Sequence, residues 1–540
     1  MYWLLLFLIY LPAAKAGRVG DFPGWVQAIT TRSFLDYVNR TGSGIASLYQ
    51  FTQVVSYIFY KLFGANAWLW HLLYITLQAL NTLLLFTFFG RLFSYSSVRN
   101  SAMVAFAGGL LFCLCPHISE VVVWESSFHY LLGLLLMMIV LLCTESFLST
   151  QKIKYAWWGG VVFFLSTYSL EVFYLTPVFV LTLGIYYRLA LRRETIVMKK
   201  LVAYFTFPQA IFFILHLILL RVIYHQRVAH IGSISLQFDA ASFSKPLKYI
   251  FHIIFFGRFF PDLLRVKVYH FCESGLGLSM FYGILLLAAV YILARFRKIK
   301  EQWKVTVLLL VWVICCLGLI MPLWFPETGL VIYDRYTYVL DAFTYLFLAL
   351  LLYNVCSKYV FIALILLYSL INYRFTHKVS AYWQQSAEIV NNLVATFPND
   401  PTKKVLLLNL PECMEGVQMV GTRDDGEFRM MYNAIMPDKI TNDVYDVEAF
   451  YMRSPMDGAH VMVVNDTTIR VTLNQWGTWW IYYGYGATSY ENTDFKVNMR
   501  DQGHWYDLIL KHPASEYVVL YTVGRDWKKA DLSKKNIEQY

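Results

Sequence analysis

Long apolar runs, separated by short polar connections, fill most of the first 373 residues. A helix needs about 20 mostly apolar residues to cross a bilayer, and these runs are continuous rather than alternating, which favours helices over barrel strands. The pattern predicts eleven transmembrane helices, one within residues 1–11 and others near residues 66–93, 101–115, 128–148, 155–171, 173–190, 201–223, 276–295, 305–322, 338–355 and 359–373.

The first apolar run ends at Ala14-Lys15-Ala16, which could serve as a signal-peptidase site. A secretory signal begins with basic residues, and this run has none before its apolar stretch. We therefore expect a retained first helix rather than a cleaved signal.

The pattern changes after residue 373, where charged and turn residues become frequent. Short strand-like runs follow at residues 405–410, 460–464, 468–473, 478–483 and 517–523, and Asn465-Asp466 between two of them predicts a hairpin turn. We predict a polytopic α-helical membrane domain over residues 1–373 and a C-terminal, β-rich α+β domain over residues 374–540.

Composition and charge support a membrane protein and give it an orientation. The chain is 58% hydrophobic and 15% charged, whereas soluble domains carry roughly 25% charged residues. The net charge of +10 comes largely from basic residues in alternate short loops. The positive-inside rule places those loops in the cytoplasm, so nucleic-acid binding is not needed to explain them. The non-cytoplasmic side then holds the C-terminal domain and the longer loops at 15–65, 116–127, 224–275 and 323–337. The compact chain favours a bacterial inner membrane.

Acidic residues recur at helix ends on this predicted non-cytoplasmic side. Ionisable groups at membrane depth are costly and usually functional. The candidates are Asp21 after the first helix, Glu120 and Glu125 near the third, Glu171 in a tight turn, and the pair Asp334-Arg335 before a late span.

Each of these residues also has a structural explanation. Asp21 could be a solvated loop residue, and Glu120 and Glu171 could stabilise helix N-termini. Asp334 and Arg335 could pair with neighbours in the bundle, and His117 and His129 could be hydrogen-bonding residues of the interface rather than metal ligands.

Several segments resemble the GT-C glycosyltransferases, in particular the branch related to protein O-mannosyltransferases. The opening segments are Gly20-Asp21-Phe22, residues 57–64 (YIFYKLFG), Trp70-His71-Leu72 and Leu80-Asn81. Residues 111–124 (LFCLCPHISEVVVW) resemble an LFxxxPxxxExVxW segment, Leu170-Glu171 resembles a turn of that branch, and Asp334-Arg335-Tyr336 resembles its Glu-Arg-Tyr motif. The chain departs from the pattern at Gly20, where the family often has a second acid, and at Cys115-Pro116-His117, where the usual histidine is displaced.

The resemblance implies transfer of a sugar from a polyprenyl-phosphate donor to an acceptor hydroxyl, with inversion at the anomeric carbon. Asp21 would be the general base, and Glu120 would support it or position the acceptor. Arg335 would hold the departing phosphate, and Glu171 would orient Arg335 or a sugar hydroxyl. The remaining candidates for substrate binding are Asp334, His117 and Glu125.

No cofactor follows from the sequence. The eight cysteines show no metal-ligand spacing, and although a divalent cation such as Mg²⁺ or Mn²⁺ would suit the chemistry, we assign no metal ligands. The expected partners are the lipid-linked donor, membrane lipid and an acceptor that is a glycan, a lipid or a protein. Two other functions remain open: a transporter or flippase of lipid-linked sugars, and a non-catalytic membrane scaffold.

Overall fold

The computed structural model describes residues 1–16, 20, 22–39, 49–189, 195–223, 242–295, 300–321, 334–420, 427–474, 478–479, 488–501 and 504–540. Within these ranges the α-helices are α1 (Tyr2–Ala16), α2 (Phe22–Thr31), α3 (Phe34–Asn39), α4 (Gln50–Phe63), α5 (Ala67–Tyr95), α6 (Ser101–Cys113), α7 (Ser119–Val123), α8 (Phe128–Thr150), α9 (Ile153–Ser166), α10 (Thr176–Leu189), α11 (Thr195–Leu201), α12 (Phe207–Ile223), α13 (Lys245–Tyr249), α14 (Asp262–Glu273), α15 (Gly275–Arg295), α16 (Glu301–Ile320), α17 (Tyr338–Val355), α18 (Lys358–Ala395) and α19 (Glu427–Ile435).

Among the described residues, seven helical segments are long and apolar enough to cross a membrane, or nine if each of two bent pairs counts as one span. The chain is therefore a multi-pass membrane protein, with fewer qualifying spans than the eleven predicted. The first and fifth predicted spans correspond to α1, with 15 residues, and α9, with 14. Both are shorter than the roughly 20 residues that a straight span needs.

A proline explains one of the two bends. Pro116 follows α6 and starts a short turn, so the chain bends by 52° before it continues into α7. A proline disfavours helical backbone in the residue before it, which here is Cys115. The second bend, of 65°, separates α14 from α15 at Ser274. The predicted spans at 101–115 and 276–295 are thus parts of bent pairs.

The centre of the membrane domain is formed by α1, α5, α6, α8 and α17, which pack on one another. Trp312 of α16 is buried; it stacks on Phe88 and also contacts the rings of Phe179 and Phe343. The outer helices instead expose large apolar side chains, such as Leu287 of α15 at 71%. Such exposure is expected where lipid rather than water surrounds a helix.

Helix α18 joins the membrane domain to the C-terminal domain. It has 38 residues, and its N-cap Ser357 accepts a hydrogen bond from the Val360 backbone N–H. Trp383 in this helix belongs to the core of the membrane domain, whereas Val390 and Leu393 belong to the core of the β-rich domain. The predicted boundary at 373/374 falls inside this helix, and the division into two domains stays a prediction.

The strands of the C-terminal region are β1 (Lys404–Leu407), β2 (Leu410–Met414), β3 (Val417–Gln418), β4 (Val444–Asp446), β5 (Ala449–Met452), β6 (Ala459–Val463), β7 (Thr468–Leu473), β8 (Thr478–Trp479), β9 (Tyr490–Glu491), β10 (Phe495–Arg500), β11 (Trp505–Leu510), β12 (Tyr517–Val523), β13 (Asp526–Lys529) and β14 (Glu538–Gln539). Over the described residues they form sheets of order β13-β12-β1-β4, β14-β6-β7-β11-β10-β9 and β3-β2-β5-β8. Strand β1 lies parallel to β12 and β4, and β2 lies parallel to β5.

This β-rich region confirms the predicted fold class, and β6, β7 and β12 match predicted strands closely. The hairpin predicted at Asn465-Asp466 is confirmed, since β6 and β7 are antiparallel on either side of it. The Asn465 side chain accepts hydrogen bonds from the Thr467 and Thr468 backbone N–H groups, which fixes the turn. The predicted strand at 478–483 is described only at residues 478–479, as β8.

The close contact of α6 with α17 gives a testable prediction. A Cβ atom at Gly108 would lie 2.7 Å from Cδ2 and 2.9 Å from Cα of Leu346, so Gly108→Ala should force the two helices apart. We expect a loss of about 1–3 kcal/mol in stability, measured by thermal unfolding of the purified protein in one detergent.

Gly160 in α9 is the matched control. A Cβ atom at this position would meet nothing within 4 Å, so Gly160→Ala should leave the protein unchanged or slightly stabilise its helix. Equal melting temperatures for the two variants would contradict the tight α6–α17 contact.

Candidate active site

The bend after α6 brings two predicted site residues onto one buried surface. Pro116 begins a single turn over Pro116–Ile118, and α7 follows directly. His117 in the turn and Glu120 in α7 are three residues apart, a spacing that places side chains on one helical face. Both side chains are buried. Helix α18 stabilises the bend, because the hydroxyl of its Thr376 donates a hydrogen bond to the Leu114 carbonyl at 2.6 Å.

Asp334 lies at the centre of the site and is buried. His117 Nδ1 lies 2.8 Å from its Oδ2, and His252 Nε2 lies 3.2 Å from its Oδ1. Arg258 donates from Nη1 to Oδ2 at 2.9 Å. A buried carboxylate is tolerated only when it is paired and hydrogen-bonded, and these three partners meet that requirement.

Glu120 and Arg335 form a second ion pair beside it, in which Glu120 is buried and the Arg335 side chain is 15% exposed. Oε1 of Glu120 accepts from Arg335 Nη1 at 2.9 Å, and Oε2 accepts from the Arg335 backbone N–H at 2.8 Å. The guanidinium also lies over the rings of Trp124, at 4.7 Å, and Tyr336, at 5.1 Å. These contacts fix the plane of the guanidinium, since cations are attracted to aromatic faces.

Two members of this site were missed from the sequence. His252 and Arg258 come from residues 249–260, which the sequence pattern places only within a long non-cytoplasmic loop. The signal was present, because a histidine and an arginine within an apolar segment indicate a functional region. Tyr249 anchors the segment by donating from its hydroxyl to Asp341 of α17 at 2.7 Å, and the Tyr269 hydroxyl lies 2.8 Å from His252 Nδ1.

Three of the predicted site residues, Asp21, Glu125 and Glu171, have no described side chain. Asp21 lies outside the described residues, and of Glu125 and Glu171 only the backbone is described. The neighbour of Asp21 is informative: Gly20 is buried, has φ of +60°, and a Cβ atom there would lie 2.8 Å from Trp124 Nε1. Gly20 is thus required by space and by backbone conformation, and it adjoins the ring on which Arg335 lies.

The β-rich C-terminal region contacts the site through a tight hairpin. Glu415 and Gly416 connect β2 to β3 with φ of +49° and +83°, as in a two-residue turn of the I′ type. The Glu415 carbonyl accepts from Arg258 Nη2 at 3.0 Å. On the other side of the hairpin, the Gly20 N–H donates to the Met419 carbonyl at 2.6 Å. Arg258 therefore connects Asp334 to the C-terminal domain.

His117, His252 and Asp334 can hold a metal ion. Their ligand atoms all lie within 4.8 Å of one another. Two imidazole nitrogens and one carboxylate oxygen suit Zn²⁺ and related transition metals better than Mg²⁺, which prefers oxygen ligands. Arg258 and the two histidines already bond to the carboxylate, so a metal would bind in exchange for some of these hydrogen bonds. The donor set does not single out Mg²⁺ or Mn²⁺, the two ions that suit the chemistry indicated by the sequence.

No protein-family model and no curated protein matches the chain. Among solved structures, an Archaeoglobus fulgidus oligosaccharyltransferase in complex with Zn and sulfate aligns with a TM-score of 0.40 and 10% identity over 82% of this chain and 62% of that one. The oligosaccharyltransferase AglB from the same organism, in complex with an inhibitory peptide and a dolichol-phosphate, aligns with a TM-score of 0.37 and 12% identity. This alignment covers 80% of this chain and 63% of that one. ArnT from Cupriavidus metallidurans in the apo state aligns with a TM-score of 0.32 and 12% identity over 84% of this chain and 92% of that one.

AglB and ArnT are GT-C glycosyltransferases, the class that the sequence resembles. The chain spans 62% and 63% of the length of the two archaeal chains. At TM-scores of 0.40 and below, activity has to be inferred from the residues of the site itself.

The Glu120–Arg335 pair gives a second prediction. Glu120→Gln removes the charge that compensates a largely buried guanidinium, and breaking a buried ion pair in this way costs about 3–5 kcal/mol. We expect a lower melting temperature for this variant. The control is Glu388→Gln on the exposed face of α18, which should melt like the wild type. A Glu120→Gln protein as stable as the control would contradict the buried pair.

Metal binding gives a third prediction. We expect purified protein to bind one Zn²⁺ ion, measured by elemental analysis and calorimetry. His252→Ala removes a ligand and should weaken binding by more than the roughly tenfold to hundredfold that loss of an outer-shell partner costs. His270→Ala, with a side chain that is 74% exposed, is the control and should bind normally. A wild-type protein without zinc affinity, or equal affinities in both variants, would contradict the site.

Proposed function

We propose that this chain is a glycosyltransferase that moves a sugar from a polyprenyl-phosphate donor to an acceptor hydroxyl at the non-cytoplasmic membrane face. The observation that carries this proposal is the convergence of His117, Glu120, Asp334 and Arg335 in one buried cluster at helix ends, next to Gly20. Ionisable groups are buried at such depth chiefly where they serve function. AglB, which is similar in part, is described with a dolichol-phosphate, a donor lipid of the proposed kind.

The proposed reaction needs a base on one side of the anomeric carbon and cationic groups on the other. Asp21 takes the proton of the acceptor hydroxyl while the new bond from oxygen to the anomeric carbon forms. The bond from the anomeric carbon to the phosphate oxygen breaks, and its electron pair leaves with the phosphate. Attack opposite the leaving group inverts the configuration of the sugar.

The remaining residues orient these groups. Arg335, held by Glu120 and by two aromatic rings, presents a guanidinium in a fixed plane, which suits bidentate contact with a phosphate. Glu171 is assigned to orient Arg335 or a sugar hydroxyl, and Glu125 and His117 to bind substrate. When a divalent ion is bound by His117, His252 and Asp334, it supplies further positive charge for the phosphate oxygens.

We further propose a bacterial inner membrane as the location, with the C-terminal domain outside the cytoplasm. The basic connections between the spans support this orientation by the positive-inside rule. The donor's phosphate would then lie at the outer headgroup level, which is where the predicted topology puts the ends of α6 and α17 that carry the cluster.

The fourth prediction tests the base. Purified protein is incubated with radiolabelled polyprenyl-phosphate sugars and a membrane extract that contains acceptors. We expect Asp21→Asn to reduce transfer by about 10²- to 10⁴-fold, the usual contribution of a general base. Asp36→Asn, at an exposed acid of α3, is the matched control and should retain full activity.

The possible outcomes separate the alternatives. Full activity of a correctly folded Asp21→Asn protein would reject the base but not the transferase. No sugar released by the wild type, across a panel of donors, would reject the transferase and favour transport of lipid-linked sugars or a scaffold.

A further inference from the structure

A basic pocket lies where the membrane domain meets the C-terminal domain. It has a volume of about 270 Å³. Arg258 and Arg265 line it from the segment around α14, Lys378 and Tyr382 from α18, and Glu415 and Arg453 from the β-rich domain. Three separate parts of the chain therefore build this pocket, and Arg258 connects it to Asp334.

Basic side chains outnumber acidic ones around the pocket. Arg258 is paired with Asp334, and Arg453 lies 4.0 Å from Glu415. Among the described residues that line it, four are basic and one, Glu415, is acidic. Arg258 and Arg265 are 7% and 2% exposed, whereas Lys378 is exposed. Burial raises the pKa of Glu415, and the nearby cations Arg453, Arg258, Lys378 and Arg265 oppose that rise. All four basic residues therefore contribute positive charge to the pocket around Glu415.

The chemistry and size of the pocket suit a single anionic group. Guanidinium groups bind phosphate and carboxylate through paired N–H donors. The volume lies slightly below the roughly 300–1,000 Å³ of sites for drug-sized ligands, so it suits one charged group rather than a whole glycan. Phe259 and Tyr382 provide apolar walls, which strengthen the attraction between opposite charges by excluding water.

The position of the pocket points to the outer membrane surface. Lys378 follows Lys358, the first residue of α18, by 20 positions, which is about 30 Å along a helix. The hydrocarbon core is also about 30 Å thick. With Lys358 on the cytoplasmic side, as the charge pattern predicts, the pocket lies at headgroup level, and its outer wall is the C-terminal domain.

We propose that this pocket is a subsite for an anionic group, a phosphate or a carboxylate, carried by the acceptor. The assignment rests on the proposed function, in which Arg335 holds the phosphate of the donor. The pocket is connected to Asp334 through Arg258, and Glu415 and Arg453 of the C-terminal domain line it. That domain then contributes to recognition of the acceptor.

The fifth prediction concerns binding of inorganic phosphate to the full chain in lipid nanodiscs, measured by calorimetry. We expect the wild type to bind phosphate and the double variant Lys378→Gln/Arg453→Gln to bind it at least about tenfold more weakly, since each lost charge-assisted hydrogen bond costs that much or more. Arg453→Lys keeps the charge and should retain most of the affinity. Arg525→Gln, at an exposed arginine of the same domain, should bind like the wild type.

A second measurement separates the acceptor from the donor. Binding of undecaprenyl phosphate in the same nanodiscs should be unchanged in Lys378→Gln/Arg453→Gln. An equal loss of phosphate and undecaprenyl-phosphate binding would overturn the acceptor assignment, because the pocket would then serve the donor. A wild type that does not bind phosphate would overturn the anion site itself. Neither binding measurement requires sugar transfer. The anion-binding role of the pocket can therefore be rejected or supported independently of the proposed activity.

Discussion

The buried carboxylate of Asp334 is the constraint on which the arrangement of the site depends. A charge in such an environment must be compensated, and Asp334 draws its partners from two distant segments. His117 is 217 residues away in sequence, whereas His252 and Arg258 are 82 and 76 residues away. Satisfying this carboxylate therefore fixes the bend after α6 and the segment at 249–260 against the start of α17.

The C-terminal domain belongs to the same network rather than lying apart from it. Arg258 uses one guanidinium nitrogen for Asp334 and the other for the Glu415 carbonyl. The hairpin that carries Glu415 also bonds to Gly20, the residue before the proposed base. A shift of this part of the chain would therefore move groups on both sides of the site.

The sequence could indicate single residues of the site but not the contacts between residues that are far apart along the chain. Glu120, Asp334 and Arg335 could be selected because they are ionisable residues at the ends of apolar runs. Their pairing could not be predicted, because Glu120 bonds to Arg335, which lies 215 residues away in sequence. His252 was missed because its segment is too interrupted by polar residues to read as a span, and its role appears only once Asp334 is beside it.

The sequence by itself determined the class of fold: apolar runs give membrane helices, the change after residue 373 gives a β-rich region, and Asn465-Asp466 gives a hairpin. These features follow from local periodicity and turn chemistry, which need only neighbouring residues. Tertiary structure alone decided that α18 runs through both cores and that Arg258 joins Asp334 to Glu415. Such contacts depend on which distant groups can compensate a buried charge, and periodicity along the chain carries no information about that.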